Sequence, residues 1–189
     1  MALILYFNPK NNDRERRLKE ILEEFNYDLK IISMKDLDQK VGYLAEIEGY
    51  QKIDIESDFD KNVDFEFLLL KDVKKEEMYK FLDYLQNSDF YVEHKAGLTK
   101  TNKDWTLRKL LGENDDEYRS MLLINKISSL IKYSKNIMNE YGNDEKINSV
   151  IDEINDYMTN TRSFDYEKAS NLYNKLSFTL SNTVNKYMK

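Results

Sequence analysis

The feature that most constrains the fold is an alternation of strand and helix patterns that runs once and then restarts. Leu3–Phe7 is uniformly apolar and stops at Asn8-Pro9, as a short buried strand would. Arg14–Phe25 then places Leu18, Ile21, Leu22 and Phe25 on one helical face. Residues 29–33 predict a second strand, and residues 36–47 a short helix that buries Leu37, Val41 and Leu44. A polar, acid-rich stretch follows over 48–62, and the order returns. A strand is predicted at 65–70, a helix at 75–86 with Met78, Phe81, Leu82 and Leu85 on one side, a strand at 91–96, and a short helix at 105–111.

The two passes share a local device. Ser33 and Asp36 precede Leu37, and Thr101 and Asp104 precede Trp105. In this pattern a hydroxyl at the helix start accepts an orphan amide, and an acid three residues on reaches back. The pairing predicts an internal duplication, with halves 1–48 and 64–113 joined by an acidic linker. The fold class expected is α/β (α+β): a duplicated βαβ(α) domain around a four-stranded sheet. The sheet is ferredoxin-like if the connection makes it antiparallel, and small and parallel or mixed otherwise. Beyond Gly112 and a polar run at 113–117 the chain reads as a separate all-helical region, 114–189. Its first apolar stripe is Leu123, Ile127, Leu130, Ile131, Ile137 and Tyr141, closed by Gly142. The second is Ile147, Val150, Ile151, Ile154, Tyr157 and Met158, and the third includes Tyr166, Ala169, Leu172, Leu176, Leu180, Val184 and Tyr187. Three such helices with short loops predict an antiparallel bundle or an open hairpin arrangement.

Composition narrows function mainly by exclusion. The net charge is −6 and the pI about 5.0, the wrong sign for a nucleic-acid binder, which needs a basic face to displace counterions. The densest basic group, Arg14, Arg16, Arg17 and Lys19, alternates with Asp13, Glu15 and Glu20 and reads as a solvated helix face. The chain has no cysteine, which removes disulfides, thiolate catalysis and thiolate-bound metals. The first apolar run lacks a basic flank and is too short for a signal peptide, and no stretch approaches the ~20 apolar residues of a membrane span. A cytoplasmic protein is expected.

Catalytic patterns are sparse. His94 is the only histidine and reads as an ordinary strand-edge or surface residue; a hydrolytic triad would depend on it. Asp54, Glu56, Asp58 and Asp60 alternate like the start of a calcium loop, yet Phe59 stands where the loop needs glycine and Phe65 where it needs glutamate. The turns after the first and third strands contain no glycine to cradle a phosphate. Tyr6, Phe7, Phe65 and Phe67 lack the glycine and basic residues of an RNA-reading sheet. Trp105 reads as a packing residue with Leu37 as its counterpart. No cofactor or metal is expected, and no enzymatic activity.

Two resemblances sit on these residues. Residues 1–113 resemble an uncharacterised bacterial domain-of-unknown-function family, through Asp36-Leu37-Asp38-Gln39 with Gly42-Tyr43-Leu44, through Phe67-Leu68-Leu69-Leu70, and most specifically through the Thr-x-Thr-Asn-x-x-Trp-Thr-Leu-Arg string at 99–108. That resemblance implies no activity. Asp165-Tyr166-Glu167-Lys168-Ala169 with Leu172 and Asn174-Lys175-Leu176 is similar to the second helix of the UVR motif, a helical hairpin of excision-repair proteins and some protease or kinase adaptors; Glu153, Ile154 and Met158 fit its first arm. The chain departs from that motif at Tyr173-Asn174 and at Thr161-Arg162. The resemblance implies protein–protein contact.

The function expected is that of a non-enzymatic interaction or regulatory protein. Its partner is another protein or a second copy, met through the C-terminal helices at Tyr157, Tyr166, Leu172 and Tyr173. The alternative is a regulatory domain with a small molecule between the repeats, near Asp36, Tyr43, Thr101, Trp105 and Arg108.

Overall fold

The computed structural model describes residues 2–9, 13–55, 57, 63–160 and 163–187. Four strands, β1 (Leu3–Phe7), β2 (Asp28–Ile32), β3 (Phe67–Lys71) and β4 (His94–Gly97), form one sheet in the order β2-β1-β3-β4. Helices α1 (Arg14–Phe25) and α3 (Lys75–Asn87) make the crossovers β1-α1-β2 and β3-α3-β4, so each of those pairs is parallel. The two central strands are antiparallel, with Leu5 opposite Leu69 at their midpoint. The sheet is therefore mixed, and the ferredoxin-like antiparallel alternative is excluded.

Its central strands are buried on both faces, which is why they are uniformly apolar. Ile4, Tyr6, Leu68 and Leu70 pack under α1 and α3, against Leu18, Ile21, Leu22, Phe81 and Leu85. Leu3, Leu5, Phe7, Phe67 and Leu69 pack on the opposite side against Leu37, Val41, Leu44, Leu107, Leu110 and Leu111. The elements on that second side differ from expectation in two places. Residues 36–47 are not one helix: a 3-10 turn, Met34–Asp36, is followed by extended Lys40 and a single turn, α2 (Val41–Leu44). The predicted helix at 105–111 does not stop at Gly112. It starts at Leu107 and continues as α4 to Tyr141, because one glycine costs a helix only about 1 kcal/mol and residues 113–117 carry no capping signal.

The chain divides into two compact units, 1–116 and 117–189. In the second, the later part of α4 packs with α5 (Glu145–Asn160) and α6 (Tyr166–Tyr187) around Leu123, Ile127, Ile147, Ile151, Ile154, Leu172, Leu176 and Leu180. Gly142, at φ 106°, ends α4 in the left-handed conformation that glycine tolerates best. Asp144 caps α5 through the amides of Lys146 and Ile147 and accepts the Thr183 hydroxyl from α6 at 2.8 Å. No helix among the described residues is long and apolar enough to cross a membrane.

Candidate functional site: the seam between the two halves

The halves meet on the α2 side of the sheet in a reciprocal backbone exchange. The Val41 amide donates to the Trp105 carbonyl at 2.9 Å and the Leu107 amide donates to the Gln39 carbonyl at 3.0 Å. Between them Lys40 and Thr106 face each other in an antiparallel bridge. Each half thus offers the other the same two backbone positions, as a local two-fold axis requires: Gln39 corresponds to Trp105 and Val41 to Leu107.

That correspondence moves the paired capping devices. In the first half the amide and hydroxyl of Ser33 both donate to the Asp36 carboxylate, at 2.8 and 3.0 Å. In the second half the reciprocal pair is Thr99 and Asn102: the Asn102 amide donates to the Thr99 hydroxyl oxygen at 3.0 Å, and the Thr99 amide to the Asn102 side-chain oxygen at 2.7 Å. Ser33 therefore corresponds to Thr99, two residues before the Thr101 that the sequence singles out. Thr101 makes no side-chain cap. Leu37 corresponds to Lys103, and Trp105 to Gln39.

Polar side chains close the seam. Arg108 binds Asp38 through two parallel hydrogen bonds of 2.9 Å, which hold that carboxyl below the usual carboxylate range. Lys40 donates to the Asp104 carbonyl at 2.7 Å, and the Tyr50 hydroxyl donates to the Asp104 carboxylate, which pushes the phenol upward. The Tyr50 ring lies over Gly42 so closely that a Cβ there would sit 2.7 Å from it. Gln39, almost fully buried, accepts the Ile53 amide at 2.9 Å and donates to the Ile53 carbonyl at 2.7 Å. Ser57 accepts from the Asp38 amide and donates to the Lys35 carbonyl. The described part of the linker is thereby fastened back on the first half.

The candidate ligand residues are distributed around this seam. Trp105 and Arg108 are in it: the Trp105 ring packs half-buried on the core with the Lys109 ammonium 4.6 Å from its centroid. Asp36 is occupied by its own turn, Tyr43 packs on the core beneath Lys30, and Thr101 is exposed. Beside the seam lies a cleft of about 450 Å³. It is lined by Glu46 and Glu48 from the first half and by Lys71, Asp72, Lys100 and Lys103 from the second. Glu46 and Asp72 both hold left-handed backbone, at φ 56° and 55°, a conformation that non-glycine residues adopt at a cost. Hydrogen bonding from Lys30 lowers the Glu46 carboxyl below its ordinary range. The cleft opens at the carboxyl ends of β3 and β4, where open α/β sheets present ligand sites.

His94 is buried, contrary to the surface reading. It stacks on Phe65 at 4.0 Å, and Nδ1 lies 3.2 Å from the Asn114 side-chain oxygen. Of the calcium-like series, Asp54 is described, whereas residues 56, 58 and 60, and Phe59 among them, lie outside the described residues. On the helical unit, Leu172 is buried in the three-helix core, so packing uses it rather than a partner. Tyr157 ties the start of α6: its hydroxyl accepts the Asp165 amide at 2.8 Å and donates to the Asp165 carbonyl at 3.0 Å. Tyr173 packs half-buried on that core, and Tyr166 is exposed beneath the Arg119 guanidinium.

Of the seam residues, no sequence pattern picks out Lys40 or Tyr50, while Asp38 enters only through the family resemblance and Asp104 only as a capping acid. Their partners are far apart in the chain, and only the Gly42-Tyr43 step hints at a close approach. Residues 66–121 match a family model described as a domain of unknown function (DUF3783). The match spans β3, α3, β4, the 99–108 string and the first turns of α4, and it reaches neither the first half nor the UVR-like segment. Comparisons with curated proteins and with solved structures return no match.

Proposed function

We propose that this chain is a non-enzymatic interaction protein whose helical unit docks a partner protein along the solvent face of α4. The observation that carries the reading is the composition of that face. Met121, Leu122 and Tyr133 are 57%, 40% and 52% exposed, well above what a helix needs to cover its own core. Leu122, Lys126, Ser129 and Tyr133 follow one line along the helix, and Lys132 and Lys135 flank it, all exposed. Between Glu117 and Glu140 the sequence carries Arg119, Lys126, Lys132 and Lys135 and no acid, although the whole chain is acidic. Such a face fits an acidic partner surface bearing apolar anchors, with charge setting the approach and the apolar residues the grip. The UVR-like pattern over α5 and α6 supports the same kind of contact. A charge-reversing, apolar-removing pair, Leu122→Asp with Tyr133→Asp in the full-length chain, tests it. Proteins captured by the unaltered chain and released by raised salt should be lost from the variant; identical capture by both would refute the reading.

A second reading rests on the cleft at Glu46, Lys71 and Lys103, which both halves line. Its volume suits a small molecule, and its mixed charges suit a ligand carrying both signs. Under that reading a screen of zwitterionic metabolites raises the melting temperature of the full chain, and Lys103→Glu abolishes the rise.

A further inference from the structure

The two edges of the sheet are built on the same template and finished differently. In β4 the Leu98 amide beyond the strand donates inward to Leu70, so Lys95 and Gly97 turn their backbone groups outward. Both outward carbonyls are occupied. Asn114 donates to Lys95 at 3.2 Å, and Asn102 donates to Gly97 at 2.9 Å.

In β2 the Asp28 amide donates inward to Ala2, so Leu29 and Ile31 turn outward. By the correspondence of Ser33 with Thr99, Leu29 and Ile31 are the counterparts of Lys95 and Gly97. The residues that would cap them are not amides. Asn102 is matched by Asp36, a carboxylate with no proton to donate, and it is already held by Ser33. Asn114 is matched by Glu48, also an acid, and α2 has ended at Leu44 before reaching it. Among the described residues no hydrogen bond reaches Leu29 or Ile31 from the open side. The Ile31 side chain is 42% exposed.

We infer that the β2 edge is a self-association surface, on which a second copy of this chain adds its own β2 in antiparallel orientation. The strand is self-complementary in that orientation. With Lys30 on the two-fold axis, Leu29 faces Ile31 of the other copy, and all four amides and four carbonyls turned outward find partners. Lys30 then faces its own equivalent. Each of these ammonium groups is neutralised within its own chain by Glu46 at 2.8 Å, and Asp28 of the other copy stands diagonally within reach of a long side chain. A sheet edge with this much unmatched backbone is a ready template for such pairing. The contact is a short one, so it belongs to the weak, reversible class.

The absence of native cysteine makes a clean test available. In the full-length chain, Lys30→Cys puts one thiol opposite its own equivalent in a non-hydrogen-bonded pair, a geometry that a disulfide spans. Asp28→Cys puts the thiol opposite Ile32 instead. Mild oxidation should give covalent dimer with Lys30→Cys and little with Asp28→Cys. Sedimentation of the unaltered chain should show a concentration-dependent dimer that Ile31→Pro abolishes. That proline removes only an outward amide and is tolerated on an edge, so the circular dichroism and melting temperature should hold. A chain that stays monomeric at every concentration, equal crosslinking of the two cysteine variants, or a dimer that survives Ile31→Pro would each overturn the assignment.

Discussion

The two units solve the same problem with different completeness. In residues 1–116 polar groups at the seam are matched across the two halves, from the Arg108–Asp38 pair to the Gln39–Ile53 pair, and the apolar strands are covered on both faces. In residues 117–189 the helices bury one common core and leave Met121, Leu122, Tyr133 and Phe178 uncovered, Phe178 at 71%. The first unit also leaves Ile31, Ile55, Tyr79 and Tyr91 exposed, so what sets it apart is its matched polar seam and doubly covered central strands, not a fully covered surface.

The contrast breaks if substitutions cost alike in both places. Leu69, on the axis of the sheet and 1% exposed, should lose about 3 kcal/mol on replacement by alanine, from lost burial and the cavity left behind. Phe178→Ala should change stability by less than about 0.5 kcal/mol, as a surface change does. Denaturant titration of the two variants gives the difference directly.

A second test reverses a helix rule. Alanine normally stabilises a helix relative to glycine by about 1 kcal/mol. At Gly42 the added Cβ meets the Tyr50 ring, so Gly42→Ala should destabilise by about 1–3 kcal/mol. Gly42→Ala in a Tyr50→Ala background should recover most of that loss, which a double-mutant cycle measures. Next in size is Gln39→Leu. It strips both hydrogen bonds from Ile53 and should cost about 1–2 kcal/mol, with faster proteolysis around residues 50–57 as the readout.

A smaller effect than the loss of Gln39 is in the acid limb. The folded pKa of Asp38 lies below its unfolded value, so its contribution is fully present above the unfolded value and is lost as pH falls through the folded one. The pair is partly exposed and screened, which keeps the contribution below about 1 kcal/mol. Arg108→Gln should therefore flatten the stability profile on the acid side and leave its shape near pH 9 unchanged.

Much of the fold is legible in the sequence because apolar period reports burial. Leu3–Phe7 and Arg14–Phe25 appear as strand and helix with their observed bounds, since a strand covered on both faces must be wholly apolar and a covering helix must show one stripe. Residues 36–47 mislead because Leu37, Val41 and Leu44 fit helical spacing while Lys40 turns extended to reach the bridge with Thr106, and only the opposing half imposes that turn. His94 looks like a surface residue because its neighbours Glu93 and Lys95 are charged; its burial comes from Phe65 and from α4 residues that no local pattern connects to it. The candidate site is less legible. Trp105 and Arg108 stand out by residue type, whereas Asp38, Tyr50 and Asp104 gain meaning only when the halves are brought together. The capping pattern at Thr101 is a true motif in the wrong register, because Thr99 and Asn102 satisfy each other first.

The most direct test of the account is to titrate a partner recovered on the full-length chain against that chain and against the Leu122→Asp, Tyr133→Asp variant, at low and high salt. Binding to the variant should be at least tenfold weaker, with a salt dependence confined to the unaltered chain and unchanged melting of the variant. Equal affinity of the two proteins at both salt concentrations would contradict it.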